Sequence, residues 1–169
     1  MLGRTPSWSF ILVAVIAVIG LLSPPHSGIG LRAYQSDMVE PGLVLIDTDL
    51  SLQGAVGAGT GIVLSPGGEV LTNNHVVQGA TQIIATDSGT GRTYPATVVG
   101  YDHDHDIAVL QLQGASGLPT APLGNSAQVR VGEPVQAIGN AGGKGLGRAD
   151  GTVTAMGQTI IASDTLTAS

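Results

Sequence analysis

The chain has 169 residues, enough for one ordinary domain, with 43% apolar residues to fill a core and no cysteine for disulfide or thiolate chemistry. Its 26 glycines and 9 prolines make up about a fifth of the residues, while charged residues are only 11%, which excludes a coiled coil or a long charged helix and favours short strands joined by turns. All twelve acidic residues lie beyond residue 33, opposed by only four basic ones, Arg92, Arg130, Lys144 and Arg148; that portion carries a net charge of −8 and argues against a nucleic-acid partner.

Arg4 precedes an unbroken apolar run over 10–22, which Ser23-Pro24-Pro25 stops. Its 13 residues form an apolar helix too short for a bilayer, which takes about 20, and in the range of a secretory core segment. Gly28-Ile29-Gly30 and the stretch ending at Ala33 only loosely resemble a small-x-small cleavage site. Residues 1–33 therefore read as a signal peptide or an uncleaved membrane anchor. Either places the remainder outside the cytoplasm, secreted or in the cell envelope, with membrane contact confined to this segment.

Residues 34–42 are polar with Pro41 and read as a linker. From residue 43 short β-rich runs alternate with glycine-containing turns, and no segment keeps a helical period. The expected strands are 43–47, 55–64, 69–71, 82–86, 94–100, 107–112, 135–138 and 152–157. Their spacing predicts an all-β antiparallel barrel. Pro66-Gly67-Gly68 and the run from Asp87 to Arg92 carry hairpin-turn chemistry. Gly57, Gly59 and Gly61 alternate within one strand, which strips one face of side chains and allows close backbone approach.

Two residues carry candidate chemistry. His75, in Leu71-Thr72-Asn73-Asn74-His75-Val76-Val77, follows a strand end; its near-neutral titration suits a general base, although a lone histidine is more often structural and its context must decide. Asp106 closes the loop Tyr101-Asp102-His103-Asp104-His105 and stands at the head of the apolar strand Ile107-Ala108-Val109-Leu110. A carboxylate there can accept the Nδ1 proton of a histidine and stabilise the imidazolium. Asp102 and Asp104, further into the loop, read as solvated acids. The alternation of His103, Asp104, His105 and Asp106 offers a rival metal site, but it supplies half a ligand set and no other histidine-rich element completes it. No metal or other cofactor is expected.

Gly57-Ala58-Gly59-Thr60-Gly61-Ile62-Val63, the segment around His75 and Asp106-Ile107-Ala108-Val109-Leu110 together resemble the HtrA (DegP) family of trypsin-like serine proteases. The likeness continues through Leu123-Gly124-Asn125-Ser126, Val131-Gly132-Glu133-Pro134-Val135, Ala137-Ile138-Gly139-Asn140 and Gly151-Thr152-Val153. Gly157-Gln158-Thr159 and Ala162-Ser163-Asp164 resemble the secreted PepA-like proteases of mycobacteria. The resemblance implies a chymotrypsin-like pair of barrels with the site in the cleft between them. Residues 43–123 would form the first barrel and 124–169 an incomplete start of the second. It also implies a serine endopeptidase acting on polypeptide substrates, with His75 and Asp106 as two members of its triad.

The family's nucleophile sits in a Gly-x-Ser-Gly-Gly loop, and no such pentapeptide occurs in these 169 residues. Ser126 in Gly124-Asn125-Ser126-Ala127-Gln128 shares half the motif and reads as a turn serine; Asn140-Ala141-Gly142-Gly143 follows the first strand of the second barrel too early and reads as a glycine-rich hairpin. The expectation is an N-terminal portion of a protease, inactive as it stands, rather than a homologue that has lost its activity. The competing reading is a non-catalytic exported β-barrel binding module.

Overall fold

A computed structural model describes residues 39–51, 54–140 and 143–158. The apolar run 10–22, and with it the expected N-terminal helix, lies outside the described residues. A short 3-10 turn, Glu40–Gly42, leads into β1 (Leu43–Leu50). There follow β2 (Ala55–Val63), β3 (Glu69–Thr72), the single helical turn α1 (Asn74–Val77), β4 (Gln82–Asp87), β5 (Thr93–Asp102) and β6 (Ile107–Leu112). The six strands close an antiparallel barrel in the order β1-β2-β3-β6-β5-β4, with β1 pairing with β4 to shut it. Beyond it β7 (Pro134–Gly139) and β8 (Gly147–Thr152) form a separate two-stranded sheet.

Alternate residues of each strand point inwards. Val44 and Ile46 of β1, Val70 of β3, Ala85 of β4 and Ala108, Leu110 and Leu112 of β6 meet there, all buried. Each larger side chain taken out of water contributes roughly 1.5–3 kcal/mol. The hairpins carry the chemistry their turns demand: Asp87, itself buried, accepts the Gly89 N–H at 3.0 Å and the Thr90 hydroxyl at 2.6 Å.

The inner face of β2 is different, because Gly57, Gly59 and Gly61 put no side chains into the barrel. A Cβ at Gly61 would lie 2.4 Å from Val70 Cγ1 and 2.9 Å from Val44 Cγ2, so neighbouring side chains already fill that space. The outer face of β2 is covered around Thr60 and Ile62, while Val56 near its start is exposed. Ile62 packs on a second apolar cluster of Val39, Leu43, Ala121 and Ile138, and Thr60 is 1% exposed. Thr60 Oγ1 accepts the backbone N–H of Asn140 at 2.7 Å, and its carbonyl accepts the Thr72 hydroxyl at 2.9 Å. Asn140 in turn offers Oδ1 to the Gly145 N–H at 2.9 Å, which ties the turn between β7 and β8 to the barrel. β2 thus lies between the barrel core and the β7–β8 sheet.

The second strand of that sheet corrects the sequence expectation. Residues 152–157 do not form a strand beyond Thr152; β8 is instead Gly-Arg-Ala-Asp-Gly-Thr, 147–152, exposed at every position. Its register is set by its partner, with Pro134 opposite Thr152 and Gly139 opposite Gly147, and Arg148 forms an exposed ion pair with Glu40. A strand held by backbone pairing and exposed polar contacts has no apolar alternation to reveal it.

Candidate active site

β3 and β6 are neighbours, with Thr72 opposite Ala108, so the residues after the end of β3 and those before the start of β6 come to the same rim of the barrel. The chain leaves β3 through Asn73, in extended conformation, and enters α1. α1 is pinned by Val76 and Val77, 3% and 5% exposed, and its close approach to β2 depends on Gly59: a Cβ there would lie 2.8 Å from both γ-carbons of Val76. His75 is carried between these constraints.

Asp106 meets it from the head of β6. Its Oδ1 accepts the backbone N–H of His75 at 2.9 Å, and its Oδ2 is hydrogen-bonded to His75 Nδ1. Its carbonyl accepts the Asn74 N–H at 3.2 Å and the Asn73 side-chain amide at 3.0 Å. Among the described residues Asp106 is the only non-glycine with positive φ, +53°, a conformation that aspartate tolerates better than most side chains. The side chains of His75 and Asp106 are 14% and 26% exposed, partly screened yet open to a reactant. An ionised carboxylate only accepts, so Nδ1 carries the ring proton and Nε2 is left as the acceptor. That is the tautomer a general base for a hydroxyl requires.

The rest of the 102–106 loop does not join the pair. His103 and Asp104 face each other at 3.7 Å, both well exposed. Asp102 and His105 are also exposed, but Asp102 is more than the inert solvated acid its sequence position suggests. Its Oδ2 contacts His105 Nδ1 at 2.7 Å, and its Oδ1 accepts the backbone N–H groups of Asp104 at 3.0 Å and His105 at 3.1 Å. Hydrogen bonds from the His105 ring and backbone hold the Asp102 carboxyl below its ordinary value, and the same ring bond raises His105. The signal available in the sequence was Asx-turn spacing, an aspartate two and three residues before the amides it accepts. Among the described residues no three or more His, Asp or Glu side chains converge as a metal set.

Ser126 lies in an exposed 3-10 turn, Ser126–Gln128, capped by Asn125 Oδ1 accepting the Ala127 N–H at 3.1 Å. Its hydroxyl makes no hydrogen bond to His75. Ala141 and Gly142 lie outside the described residues.

Residues 59–168 match the family described as the trypsin-like peptidase domain. The chain belongs to that family. Its relatives include the serine protease PepD of Mycobacterium tuberculosis, 44% identical over 127 residues that make up 69% of this chain and 25% of PepD. The periplasmic pH-dependent serine endoprotease DegQ of Escherichia coli is 39% identical over 103 residues, 60% of this chain and 22% of DegQ. Among solved structures, the HtrA-type protease AlgW with tripeptide superposes with a TM-score of 0.70 at 33% identity, covering 77% of this chain and 42% of that one. This trypsin-like peptidase chain therefore spans about a quarter of the length of the curated relatives it matches. The HtrA resemblance and the barrel expected from the sequence both hold.

Proposed function

We propose that this chain supplies the proton-transfer half of an HtrA-type serine endopeptidase acting on polypeptides outside the cytoplasm. His75 takes the proton of the nucleophilic serine and later gives it to the leaving amine, while Asp106 fixes the ring and stabilises the imidazolium. The observation that carries the reading is the two-oxygen grip of Asp106 on His75, one oxygen on the backbone N–H and one on Nδ1. The relative DegQ is a periplasmic endoprotease, which supports an exported or envelope location, in accord with residues 1–33 as a signal peptide or anchor. On this reading residues 43–123 are the first barrel and 124–169 the opening of the second.

The 169 residues contain no Gly-x-Ser-Gly-Gly loop, so the chain by itself is expected not to hydrolyse peptides. Labelling with a fluorophosphonate, which traps activated serines, tests this. The 169-residue chain stays unlabelled, and the same chain extended through such a loop is labelled only while His75 is present. Labelling of the unextended chain, or of the extended His75→Ala variant, contradicts the proposal.

A further inference from the structure

The loop that delivers Asp106 is shaped by an acid outside the pair. Asp102 is the last residue of β5, and its carboxylate turns back over the loop. Oδ1 holds the Asp104 and His105 backbone N–H groups, and Oδ2 meets the His105 ring. At the far end the Asp106 N–H donates to the His103 carbonyl at 3.3 Å. Residues 103–105 are thus fixed from both sides, and they lead directly into Asp106 at φ +53°. A left-handed backbone at a non-glycine residue costs free energy and persists only where its surroundings over-determine it. Here that conformation aims one group of Asp106, the carbonyl, at Asn73 and Asn74 and the other, the carboxylate, at His75.

We propose that Asp102 is a positioning residue of the His75–Asp106 pair, holding the 103–105 backbone so that Asp106 keeps both carboxylate oxygens on His75. The inference rests on the serine-endopeptidase reading. Asp102 does this through Oδ1 on two backbone amides, an acceptor that asparagine also has. The His105 ring, 74% exposed, is secondary, and the Asp102 side chain, 52% exposed, contributes nothing to the barrel core. Among the described residues, the charged groups that act on Asp102 and His105 are each other and Asp104, all in the same loop.

The test uses the isotopically labelled 169-residue chain and reads two signals at His75: which ring nitrogen carries the proton, from nitrogen chemical shifts, and how fast its backbone amide exchanges. Asp102→Ala leaves the barrel folded, abolishes the preference for the Nδ1 proton and speeds His75 amide exchange about tenfold. Asp102→Asn and His105→Ala both stay within about threefold of the parent chain. The inference is overturned if folded Asp102→Ala keeps the Nδ1-protonated ring and the slow amide, or if Asp102→Asn is as damaging as alanine. Global unfolding of Asp102→Ala overturns it too, since the residue would then serve the fold rather than the pair. A parent chain with no proton on Nδ1 contradicts the endopeptidase reading itself, so the two failures are distinguishable.

Discussion

Val76 occupies the space that a side chain on Gly59 would need, with both of its γ-carbons 2.8 Å from where that Cβ would sit. Because Val76 follows His75 in a four-residue helical turn, a change in β2 is transmitted to His75. Gly59→Ala is expected to cost about 1–3 kcal/mol of stability through overpacking and to loosen the hydrogen bond between His75 and Asp106. Gly100→Ala, where no atom lies within 4 Å of the added carbon, stays within about 0.5 kcal/mol of the parent. Urea unfolding of the two variants, with the His75 ring signals as a local report, checks both.

Thr60 is the polar joint between the barrel and the β7–β8 sheet. Thr60→Val keeps the shape but removes the acceptor of the buried Asn140 N–H, which costs about 1–3 kcal/mol for the orphaned donor. Thr60→Ser retains the hydroxyl and restores most of that loss. Amide exchange at Asn140 reports the difference: it accelerates in the valine variant and stays slow in the serine one.

The Asp102–His105 contact makes a signed pH prediction. His105 is raised above its ordinary 6.5 by the Asp102 hydrogen bond, and Asp102 is lowered below 3.8 by His105. The histidine's contribution is complete below pH 6.5 and is lost as pH rises through its raised folded value. The aspartate's is complete above pH 3.8 and is lost as pH falls through its lowered folded value. Both are therefore whole between about pH 3.8 and 6.5, and both are small, since the groups are solvated. In a proton NMR titration His105 ionises above 6.5, and Asp102→Asn brings it down; an unmoved His105 contradicts the contact.

Most of the barrel was legible because its strands obey two readable rules. Val44, Ile46, Val70, Leu110 and Leu112 alternate into a core, and Pro66-Gly67-Gly68 and the Asp87 turn punctuate them. The glycine alternation of β2 also translated directly, into the close approach of Val76 and Val70. β8 was illegible, because Gly147–Thr152 is selected by backbone pairing with β7 and buries nothing. Residues 152–157 offer Val153 and Ala155, each after a threonine, as a false alternation. At the site, His75 and Asp106 are matched in the sequence by the HtrA-like motifs around them, and the pairing of β3 with β6 is what brings these residues, 31 apart, together. In the sequence Asp102 differs from any other loop acid only by its Asx-turn spacing; its hydrogen bonds to Asp104 and His105 are what set it apart.

If Asp106 sets the ring of His75 for proton transfer, turnover by a complete catalytic domain depends on it directly. Residues 43–158 of this chain, grafted in place of the matching segment of PepD, should restore peptide hydrolysis. Asp106→Asn in that chimera should lower kcat by about four orders of magnitude with KM little changed, because the ring loses its carboxylate acceptor. A chimera that hydrolyses peptide equally well with asparagine at 106, or with alanine at 75, would contradict the account.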